Sequence, residues 1–293
     1  MNILVAEAIA PSGIEVLREA GWNVDVRSAT TPTEMEAIIG DYDAVIVRSQ
    51  TRLTARAIQR AQRLKVIGRA GAGVDNVDLE AATARGILVM NTPGSNSVSV
   101  AEHTFGLMLA LMRHLVAANA SVKRGEWERK LFLGRELRGK TLGLIGLGKV
   151  GQEVAKRAKA FGMTVIAHDP FIVERLAQDL DVRLVPLEEL LALSDIISLH
   201  ASLTRATRGM INRETIARMK PGVILINTAR GELVDEAALL EGLDSGRIAA
   251  AGLDVFAEEP PRNRRLLEHP RVLATPHVGA STIEAQELVG VEI

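Results

Sequence analysis

The chain has no cysteine, which excludes disulfides, thiolate nucleophiles and zinc sites built on sulfur. Net charge is nearly absent too: 35 lysines and arginines against 36 aspartates and glutamates leave −1. No basic field therefore gathers nucleic acid or anionic lipid. Long apolar runs are also missing. Stretches such as Phe105–Met112 fall far short of the ~20 residues a membrane helix needs. Glu7 stands directly after a strand-like Asn2–Ala6 run, without the basic stretch and apolar core of a secretory signal. These absences predict a soluble, cytoplasmic protein that binds neither nucleic acid nor membrane. What remains is an ordinary globular composition, 47% hydrophobic and 24% charged. At roughly 150 residues per domain, 293 residues suggest two domains.

Short β-rich apolar runs alternate with helical patterns along the chain. The strands expected in the first third are Ile3–Ala6, Val24–Arg27, Ala44–Arg48, Lys65–Arg69 and Ile87–Asn91. Helical stretches at Ser12–Ala20, Thr33–Ile39 and Asp78–Arg85 lie between some of them. Strands spaced by a helix read as βαβ units and hence a parallel sheet. Ala44–Val47 and Val223–Ile226 do not alternate with polar residues, as befits strands covered on both faces. A turn-rich break at Thr92–Asn96 is followed by Ser99-Val100-Ala101-Glu102, a capping-box pattern that predicts a long apolar helix to about Asn119. Residues 123–140 are charged and show no period; they read equally as a solvated loop or as an arm contacting a partner.

From Thr141 the alternation resumes, with strands expected at Thr141–Ile145, Thr164–Ala167, Ile196–Leu199, Val223–Asn227, Ile248–Leu253 and Val272–Ala274. Ser281-Thr282-Ile283-Glu284 has the form of a second capping box, and its helix reaches Ile293 without a stop signal. The chain is therefore expected to be cut within that helix. The fold class that follows is α/β, with two doubly wound parallel-sheet domains. One spans 1–98, with 281–293 returning to it. The other spans 99–280.

Gly146-Leu147-Gly148-Lys149-Val150-Gly151 matches G-x-G-x-x-G, and it sits between a strand and the predicted helix Val150–Phe161. In that context the first glycine makes a tight turn, the second lets the backbone approach a pyrophosphate, and the third lets helix and strand pack closely. N–H groups of Lys149, Val150 and their neighbours at the helix N-terminus then face the phosphates. Asp169 lies 18 residues past Gly151, near the spacing of the acid that binds a ribose 2′-hydroxyl. An acid there repels a 2′-phosphate, so NAD is the expected cofactor. Gly143–Lys149 also nearly spells a P-loop, but Val150 replaces the hydroxyl that would hold magnesium.

Three reactive side chains follow predicted strand ends, where doubly wound sheets bind ligands: Arg230, Glu259 and His277. Together they suit hydride transfer at an alcohol carbon. A histidine near neutrality serves as base or acid. A carboxylate beside it fixes the tautomer and favours the imidazolium form. An arginine offers a planar fork to a substrate carboxylate. Nicotinamide carries the hydride, so no metal is expected.

These stretches resemble the D-isomer-specific 2-hydroxyacid dehydrogenases: Gly143–Gly151, Asn227–Asp235 and Leu253–Pro261 followed by Pro276-His277. The resemblance implies a Rossmann NAD-binding domain inserted in a flavodoxin-like substrate domain. It implies Arg230 as substrate binder, His277 as acid and base, and Glu259 as its partner; formate-specific members carry glutamine in the last role. It adds Thr228, Asp254 and Gly279 to the cofactor site. Val47–Ser49, Gly68–Asp78, Asn91–Ser97 and Trp127–Arg129 point to the branch acting on a phosphorylated 2-hydroxyacid. There Arg48, Arg69 and Asn96 would face the substrate, while Arg129 reaches across a dimer interface. Either Arg48 or Arg69 could instead pair with an acid such as Glu7 or Asp75. Self-association as a homodimer or homotetramer through residues 99–140 is implied as well. Ala72 departs from the family, which often has a hydroxyl there. No C-terminal regulatory domain is expected within this sequence. Two other functions stay open: a reductase of unphosphorylated 2-keto acids such as hydroxypyruvate or glyoxylate, and a non-catalytic NAD-sensing scaffold.

Overall fold

A computed structural model describes residues 1–27 and 31–293. The chain divides into two compact units, Met1–Ser97 with Ala280–Ile293, and Val98–Gly279.

The first unit holds a parallel five-stranded sheet. Its strands are β1 (Asn2–Val5), β2 (Asn23–Val26), β3 (Ala44–Val47), β4 (Val66–Arg69) and β5 (Leu88–Asn91), in the order β2-β1-β3-β4-β5. This is the flavodoxin-like order. Every residue of β3 is buried, which is why its sequence shows no polar alternation. Val45 and Val47 point to a cluster with Leu4, Met35, Ile39 and Ile58, while Ala44 and Ile46 point to one with Ile3, Val5 and Val289. The helix Ile283–Glu292 packs against the helix Pro11–Glu19 within this unit. Their backbones nearly touch, since a Cβ on Gly13 would stand 2.0 Å from the Gly290 carbonyl oxygen.

The second unit holds a parallel seven-stranded sheet: β6 (Thr141–Ile145), β7 (Thr164–His168), β8 (Arg183–Leu184), β9 (Ile196–Leu199), β10 (Val223–Asn227), β11 (Ile248–Leu253) and β12 (Val272–Ala274). The order β12-β11-β10-β9-β6-β7-β8 is the Rossmann arrangement with an added strand, and its order reverses between β6 and β9. One face packs Ile145, Leu199, Leu225 and Leu253 against helical residues such as Leu190 and Leu239; the other packs Leu142, Leu144 and Ile226 against Phe105, Met108 and Val154.

Three expectations need correction. The apolar helix begins at Ser97, so Ser99 and Glu102 lie inside it rather than at its cap. The helix also does not run unbroken to Asn119. It stops at Met112, and a second helix, Leu115–Lys123, continues at 62° to it. His114 between them is left-handed, with φ 52°. Buried Ala101, Phe105, Leu107, Met108 and Met112 make the first helix a core element of its unit. Among the described residues, no single helix is long and apolar enough to cross a membrane. At the other end, Thr282 rather than Ser281 caps the last helix, accepting the Ala285 N–H at 3.1 Å. In both misread boxes, other residues outcompete the motif: the chain is already helical at Ser97, and the threonine supplies the same oxygen one residue later.

Candidate active site

The glycine loop leaves β6 through Gly146, whose φ of 97° is a conformation glycine adopts without steric cost. Its N–H donates to the His168 carbonyl at 2.9 Å. A Cβ on Gly146 would stand 2.6 Å from the carbonyl carbon of His200, and one on Gly151 would stand 2.3 Å from the Gly146 oxygen. Both positions thus require glycine for close backbone packing. Gly148 differs. It is the N-cap of the helix Lys149–Ala160, has no capping side chain, and has nothing within 4 Å of the Cβ it lacks. The helix buries Gly151, Val154, Ala155 and Ala158 on one face, leaving Lys149 exposed and Val150 half-buried at its mouth. Open space at an uncapped helix N-terminus is what a pyrophosphate needs.

Asp169 follows β7. Its Oδ2 accepts the Leu147 N–H at 2.8 Å and its Oδ1 accepts the Phe171 N–H at 2.9 Å. The carboxylate is thereby held beside the glycine loop, and each oxygen has lone-pair capacity for a ribose hydroxyl. On the neighbouring strand end, His200 Nε2 bonds Ser198 Oγ at 2.9 Å. Desolvation lowers the pKa of His200 from 6.5 to about 3, so the imidazole behind the loop stays neutral.

The loops after β10, β11 and β12 carry the reactive set. Asn227 ends β10 and is 1% exposed. Its amide donates to the Arg230 carbonyl at 2.9 Å and its Oδ1 accepts the Ala229 N–H at 3.1 Å, so a buried side chain shapes the turn that presents Arg230. Gly231 lets this turn press on the next loop, because a Cβ there would stand 1.8 Å from the Phe256 carbonyl carbon. Thr228 is buried, its hydroxyl 2.9 Å from that of Thr104.

His277 Nδ1 lies 2.8 Å from Glu259 Oε2, and Glu259 Oε1 accepts the Phe256 N–H at 3.1 Å. Burial raises the pKa of Glu259. Its bond and charge contact with His277, the Phe256 N–H and the Arg230 charge outweigh that and hold it below the ordinary value. Glu259 is therefore an acceptor only, and Nδ1 of His277 carries the proton that it accepts. Nε2 of the half-exposed ring is left to accept or donate. His277 itself is left-handed, with φ 54°.

Asp254, 1% exposed, builds the His277 loop. It accepts from the Thr275 hydroxyl at 2.6 Å and from the Val278 and Gly279 N–H groups at 2.9 and 2.8 Å. His103 Nε2 stands 3.3 Å from it. Burial pushes its pKa up, but these bonds pull it below 3.8. Gly279 fits tightly over this carboxylate, its absent Cβ 3.0 Å from Oδ2.

Residues 105–279 match the family described as D-isomer specific 2-hydroxyacid dehydrogenase, NAD binding domain. The chain belongs to this family. It is 50% identical over 294 residues to the D-3-phosphoglycerate dehydrogenase of Archaeoglobus fulgidus, covering 100% of this chain and 56% of the relative. With the Bacillus subtilis protein of the same name identity is 47% over 292 residues, covering 100% and 55%. The chain thus spans about half the length of the curated relatives it matches. Among solved structures, a protein from Thermus thermophilus superimposes with a TM-score of 0.91 at 40% identity, covering 99% of this chain and 94% of that one. The Aquifex aeolicus D-lactate dehydrogenase, complexed with NAD and lactic acid, gives 0.88 at 32% identity, with 100% and 92% covered. NAD is the family's cofactor, and the open Gly148 position, the free helix end and Asp169 fit it.

Within the chain the predicted site residues divide between its two units. Arg230, Glu259, His277, the glycine loop, Asp169, Thr228, Asp254 and Gly279 all belong to the Val98–Gly279 unit. Arg48, Arg69 and Asn96 belong to the other. Arg48 follows β3, with Nη1 donating to the Ala8 carbonyl at 3.2 Å. Glu7 does not pair with its guanidinium; both Glu7 oxygens accept backbone N–H groups instead. Arg69 ends β4 and folds over Gly71, where a Cβ would stand 1.7 Å from Nη1. Asn96 is half-buried in the Thr92–Ser97 turn. Arg129 is exposed in a short 3₁₀ turn, Arg129–Phe132. Sequence reasoning missed Asn227, Gly231, Thr275 and His103 as shapers of the site. Asn227 alone had a visible signal, a polar residue closing an apolar buried strand.

Proposed function

We propose that this dehydrogenase oxidises 3-phospho-D-glycerate to 3-phosphohydroxypyruvate, the first step of phosphorylated serine biosynthesis. The observation that carries the chemistry is the 2.8 Å contact between His277 Nδ1 and Glu259 Oε2, in the same unit as a dinucleotide loop. With Nδ1 committed to Glu259, Nε2 takes the substrate hydroxyl proton on oxidation and returns it to the carbonyl on reduction. Glu259 stabilises the imidazolium formed in between. Arg230 binds the substrate carboxylate by its guanidinium fork and steadies negative charge beside the reacting carbon. Gly146, Gly148, Gly151, the N–H groups of Lys149 and Val150, and Asp169 would hold the cofactor, together with Thr228, Asp254 and Gly279. Bound NAD supplies the hydride acceptor.

The choice of substrate is supported by the relatives' names and by cationic side chains placed at two strand ends of the first unit. Arg48 and Arg69 bind the phosphate, with Asn96 beside them, and Arg129 contributes from a second copy of the chain. Trp127, Leu131 and Leu133 are 76%, 71% and 86% exposed, which supports self-association through this segment as a homodimer or homotetramer. The protein acts in the cytoplasm. A second reading is reduction of an unphosphorylated 2-keto acid, favoured by structural neighbours that include a glyoxylate reductase from Paecilomyes thermophila at 34% identity and TM-score 0.91, covering 99% of this chain and 92% of that one. Arg48→Ala and Arg69→Ala separate the two. Each should lower kcat/KM for phosphohydroxypyruvate by more than about tenfold relative to hydroxypyruvate, and equal losses on both substrates would favour the second reading.

A further inference from the structure

The first unit contains a buried carboxylate that the chemistry above does not use. Glu7, two residues past β1, is 7% exposed. Its Oε1 accepts the N–H groups of Arg48 at 3.1 Å and Thr51 at 2.6 Å, and its Oε2 accepts that of Gln50 at 3.2 Å. Asn76 grips the same turn from its carbonyls, its Nδ2 donating to Arg48 and Thr51 oxygens at 2.6 Å each. Backbone bonds lock the two loops together: Leu53 N–H donates to the Asn76 carbonyl at 2.8 Å, and Asp78 N–H to the Leu53 carbonyl at 2.9 Å. The turn after β3 thus has its donors on the buried Glu7 side chain and its acceptors on the half-buried Asn76. Asn76 comes from the loop that follows β4 and Arg69.

Bonds from N–H groups to a carboxylate are charge-assisted and strong, and their loss strands buried donors. A purely structural role would need no particular turn. This turn, however, begins at Arg48, and the guanidinium of Arg48 is tied at 3.2 Å to the carbonyl of Ala8, the residue after Glu7. One short segment therefore fixes both ends of the arginine. Its carboxylate is spent on backbone N–H groups and does not neutralise the side chain that it orients.

We infer that Glu7 and Asn76 are positioning residues for phosphate recognition, holding the 48–51 turn in the conformation that presents Arg48 to the substrate phosphate. This rests on the reading of Arg48 as a phosphate ligand. The test compares Glu7→Gln, Asn76→Asp, Arg48→Ala and the double variant Glu7→Gln/Arg48→Ala in the full chain. The measurements are hydrogen exchange at residues 48, 50 and 51, the KM for NADH, and the ratio of kcat/KM for phosphohydroxypyruvate to that for hydroxypyruvate. Glu7→Gln should speed exchange at the three amides and lower the ratio about tenfold, mainly through KM, without moving the KM for NADH. In the Arg48→Ala background the same substitution should change the ratio less than about twofold, because the side chain it positions is gone. Unchanged exchange, a wild-type ratio despite lost protection, or a full tenfold loss in the Arg48→Ala background would each overturn the inference. Should Glu7→Gln fail to fold, Asn76→Asp carries the same expectations, since it replaces two donated bonds by repulsion. An Arg48→Ala variant with the wild-type ratio overturns the underlying reading of Arg48. A lowered ratio in Arg48→Ala beside a wild-type one in Glu7→Gln overturns the positioning role alone.

Discussion

A proton shuttle needs one nitrogen held and one nitrogen free, and the His277–Glu259 pair supplies that asymmetry. Replacing His277 by Ala should lower kcat by roughly 10²–10⁴-fold while leaving NADH binding intact by fluorescence titration. The glycine loop allows a sharper separation. Gly148→Ala meets no protein atom within 4 Å, so thermal stability should hold while the Kd for NADH rises more than about tenfold as the methyl enters the cofactor's space. Gly151→Ala drives a Cβ to 2.3 Å from a backbone oxygen and should lower stability and NADH affinity together. A Gly148→Ala variant that binds NADH normally would remove the pyrophosphate from that position. The placement of Arg230, Glu259 and His277 was legible in the sequence because each lies in the loop after an apolar strand whose end can be read. Glu7 and Asn76 were not, because they act on distant backbone groups. Glu7 reaches partners 41 to 44 residues away, and no local spacing encodes such a bond.

Among the elements, central strands were the most legible. β6, β9, β10 and β11 fall where the apolar runs do, since strands buried on both faces have no competing period. The two-residue edge strand β8 and the short helices Ala55–Arg60, Glu174–Asp179 and Arg264–Leu267 bury too little apolar surface to leave a pattern. The break at His114 was invisible because apolar residues continue on both of its sides. The β9 end carries a pH prediction. Unfolded His200 binds a proton below its ordinary 6.5, whereas the folded imidazole does so only near 3. Between those values the unfolded chain holds the extra proton, so this residue's stability is present above 6.5 and is lost as pH falls toward 3. Denaturation midpoints measured across that window should flatten in His200→Gln; an unchanged slope would contradict a neutral buried imidazole.

For the molecule as a whole, the arm after the bent helix pair exposes Trp127, Leu131 and Leu133, the apolar side chains through which the proposed self-association would run. Sedimentation should find an oligomer, and Leu131→Asp with Leu133→Asp should shift it toward monomer; an oligomer indifferent to both would place the contact elsewhere. The central claim, hydride chemistry on a phosphorylated 2-hydroxyacid, is tested most directly by NADH oxidation with phosphohydroxypyruvate, hydroxypyruvate, glyoxylate and pyruvate side by side. The predicted result is a kcat/KM for phosphohydroxypyruvate at least about a hundredfold above the others, a discrimination of roughly 2.7 kcal/mol. A preference for an unphosphorylated acid, or NADH binding with no turnover of any of the four, would contradict it.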